Sequence, residues 1–105
     1  MNYLILYQNN SPPAFLDSPI SSLGEPFTDY GGGIFPFRHL SVNGTPYTVF
    51  SHMMACTYNG FMPNPMALAL TGRDFYADVL IYAPDGNFKP LASQLGLSLE
   101  QVPVV

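Results

Sequence analysis

The sequence predicts an α+β fold: a small antiparallel sheet of three or four strands, with short helices packed on one face. Three observations predict it. Asn43-Gly44 stands between two alternating runs and supplies the two positive-φ residues that a type I′ hairpin turn requires. Two further β-rich runs, residues 3–7 and 75–83, are bounded by turn-forming residues. Asn64-Pro65 then joins a helix cap to a proline at the first helical position. With 105 residues there is room for a single domain, residues 1–105.

Taken in order, residues 3–7 alternate aromatic and aliphatic side chains and read as a first strand, closed by Gln8-Asn9-Asn10-Ser11-Pro12-Pro13. Residues 9–33 then form a long loop rich in proline and glycine. Pro12, Pro13, Pro19 and Pro26 each remove a backbone donor, and Gly31-Gly32-Gly33 ends the segment. Loops beyond about 12–15 residues are usually functional or disordered. Here Phe15, Leu16, Ile20, Leu23 and Phe27 anchor the segment, so it is expected to be an ordered meander with a helical turn near residues 19–23.

The hairpin's two-residue loop sets its register: Val42 faces Thr45, Leu40 faces Tyr47, Arg38 faces Val49 and Phe37 faces Phe50. One face carries Val42, Leu40, Tyr47 and Val49; the other carries His39, Thr48, Phe37 and Phe50. Pro46 falls at a site that needs no ladder bond, but it leaves the outer side of its strand free near the turn. Pro36 would fall at a bonded site opposite Ser51, so regular pairing is expected from Phe37 to Phe50. Ser51 is expected to cap a helix reaching Asn59, with Gly60 as its stop. A second helix starts at Asn64-Pro65 and ends at Gly72. Residues 75–83 form the next strand, with Phe75, Ala77, Val79 and Ile81 on one face, closed by Pro84-Asp85-Gly86. A last helix runs from Pro90 to Leu95, stops at Gly96, and a new one begins at Ser98.

Charge excludes several functions. Three Lys+Arg against seven Asp+Glu give a net charge of −4, and charged residues are only 10% of the chain. Arg38, Arg73 and Lys89 are too few to neutralise a run of phosphates, so nucleic-acid binding is disfavoured. One cysteine builds neither a disulfide framework nor a thiolate zinc site. No run nears the ~18 apolar residues of a membrane span, and Met1-Asn2 opens no basic signal region. A cytoplasmic protein away from membranes is the expectation.

His52 and Cys56 stand four apart, on one face of the expected helix, where an imidazole would activate a thiol. The carboxylates Asp74 and Asp78 share a strand face at spacing four and read as a solvated edge. His52 and Cys56 are the catalytic candidates, in a sequence that marks neither an orienting group nor an oxyanion site. Met53, Met54 and Ala55 surround the pair with apolar atoms, which favours a buried, inert cysteine. As a metal site the pair is half of what zinc needs, so no metal or cofactor is implied. Gly31-Gly32-Gly33 lacks the lysine of a phosphate loop, and Asp85-Gly86-Asn87 lacks the further acids of a calcium loop.

Near the end of the chain, Ala92, Gly96 and Val102 stand at the spacing of a small residue, a turn glycine and an apolar contact. This stretch, Leu91 to Val102, resembles the core of a helix-turn-helix, which implies a second helix able to enter a DNA groove. It departs from that family at Pro103, which stops the second helix, and in having no basic residue after Lys89.

Seven Tyr, eight Phe and five Met weigh more. Aromatics and Met are enriched in the centres of protein interfaces, where Lys and Glu are depleted. The expected function is therefore a non-enzymatic protein-binding module, in one form a small acidic inhibitor that covers a partner's surface. Phe37, Phe50, Tyr47, Tyr76 and Tyr82 are its binding residues. The partner is another protein or a second copy of the chain in a two-fold homodimer, because apolar side chains occupy both faces of the expected sheet. The alternatives are a small enzyme or ligand-binding domain using Cys56 and His52, and a DNA-binding protein acting through the C-terminal helices.

Overall fold

Among the described residues, short alternating runs and two helices that stop at glycine organise the chain. The structure, a computed structural model, describes residues 2–16, 34–52 and 62–104, with the backbone alone at Ile34, Phe35, Phe37 and His52. The described strands are β1 (Tyr3–Leu6), β2 (Ala14–Leu16), β3 (Ile34–Val42), β4 (Thr45–His52) and β5 (Val79–Tyr82). Helix α1 (Pro65–Thr71) lies between β4 and β5; α2 (Lys89–Leu95) and a 3-10 turn at Leu99–Gln101 come after β5. The strands form one five-stranded antiparallel sheet in the order β2-β1-β5-β4-β3, so the fold is α+β with more strands than expected.

The hairpin forms for the reason its turn suggests. Asn43 and Gly44 take φ of 50° and 83°, the conformation a I′ turn demands and glycine adopts without cost. Val42↔Thr45, Leu40↔Tyr47 and Arg38↔Val49 pair as expected, but Phe37 does not face Phe50. A bulge between Pro36 and Arg38 sets Pro36 opposite Phe50 instead. The extra residue removes the conflict at Pro36. Opposite Ser51, proline would lack a ladder donor; shifted by one, it meets a site that calls for none.

Pairing therefore continues to Ile34↔His52. Ser51 and His52 belong to β4, so the helix expected from Ser51 does not include them; the rest of it lies outside the described residues. β4 meets β5 only from Thr48↔Tyr82 to Phe50↔Leu80, beyond Pro46, as that proline requires.

Two further expectations about the sheet are corrected. The loop at 9–33 contains β2, which pairs Leu4 with Phe15; its three residues are too short to show a period. The helical turn expected at 19–23 lies outside the described residues. The strand expected at 75–83 narrows to Val79–Tyr82, because Ala77 takes a φ of 64° that breaks the extended backbone. Ahead of that break, Tyr76 bridges to Pro63 instead.

β5 is the central strand, and Val79, Leu80 and Ile81 are each 0% exposed, which accounts for their unbroken apolar run. On one face, Leu4, Leu6, Val49, Val79 and Ile81 pack with Ala67 and Leu70 of α1 and Leu91 of α2. On the other, Leu80 packs with Ile5, Ala14 and Leu16, joined by the half-buried Tyr3, Tyr7 and Phe50. The described helices lie against the first face only.

α1 starts and ends where expected, between Asn64 and Gly72. Helix α2 stops at Gly96, whose φ of 71° lets its N–H return to the helix's last turn. The next element is the 3-10 turn and not a second α-helix. The helix-turn-helix resemblance thus reaches the turn glycine and goes no further.

Candidate functional site

Two buried polar side chains are fully used in holding the fold. Asn64 is 0% exposed. Its Oδ1 accepts the Ala67 N–H at 3.1 Å, and its Nδ2 donates to the carbonyls of Leu6 at 2.8 Å and Ala77 at 3.1 Å. One amide so caps α1 and ties it to β1 and to the segment before β5. Beside it, Gln8 donates its backbone N–H to Asp78 Oδ1 at 2.9 Å. Tyr47 makes the second tie. Its hydroxyl donates to the Asn87 carbonyl at 2.6 Å, and its ring stacks at a tilt on Phe88. Burial pushes the Tyr47 phenol above its usual range, with the Leu91 backbone acting in the opposite direction.

The outer edge of β3 is built differently. Its backbone directions are set by the turn: Val42 and Thr45 flank it and bond to each other, so Leu40 and Arg38 also point toward β4. His39 and Ser41 then aim their N–H and C=O groups away from the sheet, and both residues are exposed. Among the described residues nothing pairs with that edge. The His39 ring is held on its strand by Thr48, Nδ1 to Oγ1 at 3.0 Å. At the opposite edge the chain covers itself. Phe15 of β2 donates its N–H to the Pro103 carbonyl at 2.8 Å and forms a parallel bridge with Val104.

The expected site residues scatter. Tyr47 is 1% exposed and belongs to the core, so it offers no surface to a partner. Phe50 is half-buried in the second cluster, and Tyr82 is half-buried with its ring centroid 5.2 Å from that of Tyr3. Tyr76 is half-buried at the Pro63 bridge. Phe37 marks the bulge, and its side chain is not described. His52 sits in a strand, so its spacing to Cys56 does not put the pair on one helical face; Cys56 lies outside the described residues.

Among the described residues no group of three or more His, Cys, Asp or Glu is placed to hold a metal ion, and no helix is long and apolar enough to cross a membrane. Two shallow hollows of about 300 and 330 Å³ flank α2. Lys89 is the one charged side chain lining either, and no nucleophile with a base faces them. Compared with known proteins, the chain matches no family model, no curated sequence and no solved structure.

Sequence reasoning passed over the outward backbone groups of His39 and Ser41 because it sought side chains. The signal was present in the turn: the parity that sets the register also decides which backbone groups face outward.

Proposed function

We propose that this chain is a non-enzymatic protein-binding module that takes up an extended segment by strand addition along the open edge of β3. The observation that carries the reading is the difference between the two edges of the sheet. β2 is covered by the chain's own 103–104 segment, whereas His39 and Ser41 of β3 are exposed and their four outward backbone groups have no partner among the described residues. Strand addition uses such groups for affinity and neighbouring side chains for selectivity. Edges left bare are usually blunted by bulges, prolines or charge. β3 has these devices only in its first half, at Pro36, the bulge and Arg38, and leaves 39–42 regular. Covering a partner's own sheet edge is also how a small inhibitor of this kind would act.

Ser41→Pro tests the reading. Ser41 faces Pro46, so the change removes an outward donor and no hairpin bond. In a pull-down from native lysate supplemented with untagged chain, the wild type retains a stoichiometric protein and Ser41→Pro does not. Equal capture by both, or none by either, overturns the reading.

A further inference from the structure

We infer that the segment added to β3 is β3 of a second copy, paired antiparallel about a two-fold axis at Leu40; this rests on the strand-addition reading above. The regular part of β3 runs from Arg38, after the bulge, to Val42, before the turn. Leu40 is its midpoint. Because Leu40 bonds toward β4, its neighbours His39 and Ser41 face outward on either side of it. A two-fold axis through Leu40 sets His39 opposite Ser41 of the second copy, and Ser41 opposite His39. All four outward groups on each copy then find partners. A register centred elsewhere on β3 runs into the bulge or the turn.

Side chains agree with this register. Leu40 is half-buried against the main core and would meet Leu40 of the second copy on the same face, continuing that core across the axis. Arg38 would stand opposite Val42 of the second copy rather than opposite another arginine. The sequence holds no Asp or Glu between Asp29 and Asp74, so the hairpin carries no carboxylate in a chain of net charge −4. Two acidic copies can therefore meet at this edge with no like charges directly opposed. A two-fold contact uses one surface twice, as this self-complementary edge requires.

Sedimentation and light scattering across micromolar concentrations should give the mass of two chains for the wild type. Ser41→Pro should weaken the dimer roughly tenfold or more, since it removes two of the four backbone bonds across the axis. A cross-linking pair checks the register without relying on that variant's folding. In a Cys56→Ser background, Leu40→Cys should join two chains when oxidised glutathione accepts the two thiols' electrons. Facing residues at an unbonded antiparallel site lie about 4.5 Å apart at Cα, within disulfide reach. Ser41→Cys should not cross-link, because it faces His39 of the other copy.

A wild type that stays monomeric overturns the second copy as partner. If that monomer still captures a lysate protein that Ser41→Pro loses, strand addition stands with a different occupant; if capture is unchanged, both readings fall. A dimer that survives Ser41→Pro, or that cross-links at Ser41→Cys rather than Leu40→Cys, overturns this register.

Discussion

Asn64 and Tyr47 do comparable jobs at different places in the molecule. Each is a buried polar side chain that ties elements distant in sequence through a backbone carbonyl. Asn64 does it with a neutral amide that uses both of its hydrogens and its oxygen, so its tie has three bonds and does not respond to pH. Tyr47 does it with one hydroxyl and a large ring, so most of its contribution is packing and the remainder can titrate. The lesson is that a polar tie's strength depends on the number of groups left unpaired when it is lost, more than on the size of the side chain.

The comparison breaks first at Asn64. Asn64→Ala should destabilise the fold by roughly 2–5 kcal/mol, adding a lost helix cap to two carbonyls left without their donor. Asn64→Asp keeps the cap but turns acceptors toward the Leu6 and Ala77 carbonyls, so it should rescue little. Denaturant unfolding of both variants decides; near-wild-type stability in Asn64→Asp would show that the cap is all that matters.

Tyr47→Phe keeps the ring and loses one hydrogen bond, so about 1 kcal/mol is expected at neutral pH. The raised phenol adds a pH signature. A group whose folded pKa lies above its unfolded value contributes stability in full below about pH 10, and loses it as pH rises through the folded value. The gap between wild type and Tyr47→Phe should therefore close in that alkaline window. Thermal melts of both proteins from pH 8 to 11 would expose a constant gap, which would mean the phenol is not linked to folding.

The smallest effect is expected beside Asn64. Ala77 holds a positive φ that alanine adopts at a cost of about 1–2 kcal/mol, and glycine without it. Glycine's looser unfolded state offsets part of that gain, so Ala77→Gly should stabilise by less than about 1 kcal/mol. A loss of stability there would mean that the methyl group, buried at 6% exposure, matters more than the backbone strain.

These residues also show what can be read from the chain alone. Asn64 was legible as a cap because a cap is local: Asn, then Pro, then an apolar run. Its bonds to Leu6 and Ala77 were not, since they depend on how β1 and the approach to β5 pack. Tyr47 was legible as the neighbour of Leu40 and Val49 on one hairpin face. Its burial was not, because its partner Asn87 lies 40 residues away. The Asn43-Gly44 turn and the stop at Gly96 are legible for the same reason, that each needs only adjacent residues. β2, the bulge at Phe37 and the strand order needed knowledge of neighbours across the sheet. Of the candidate site, the register was readable, and the outward direction of His39 and Ser41 is contained in it. That one edge is covered and the other has no partner among the described residues was not.

The central place of β5 has a consequence for how the chain assembles. β1 with β2, and β3 with β4, can each pair early from nearby residues, but in the sheet neither pair is bonded to the other, and Val79–Tyr82 joins them. During synthesis, which delivers the N-terminal part first, the two pairs wait with open inner edges until residue 82 has emerged. The last contacts to form, such as Tyr3 with Tyr82, span nearly the whole described chain, and contacts of that separation slow folding. A chain halted before residue 79 lacks the strand that joins the two pairs, which leaves the inner edges of β1 and β4 without their partner in the sheet.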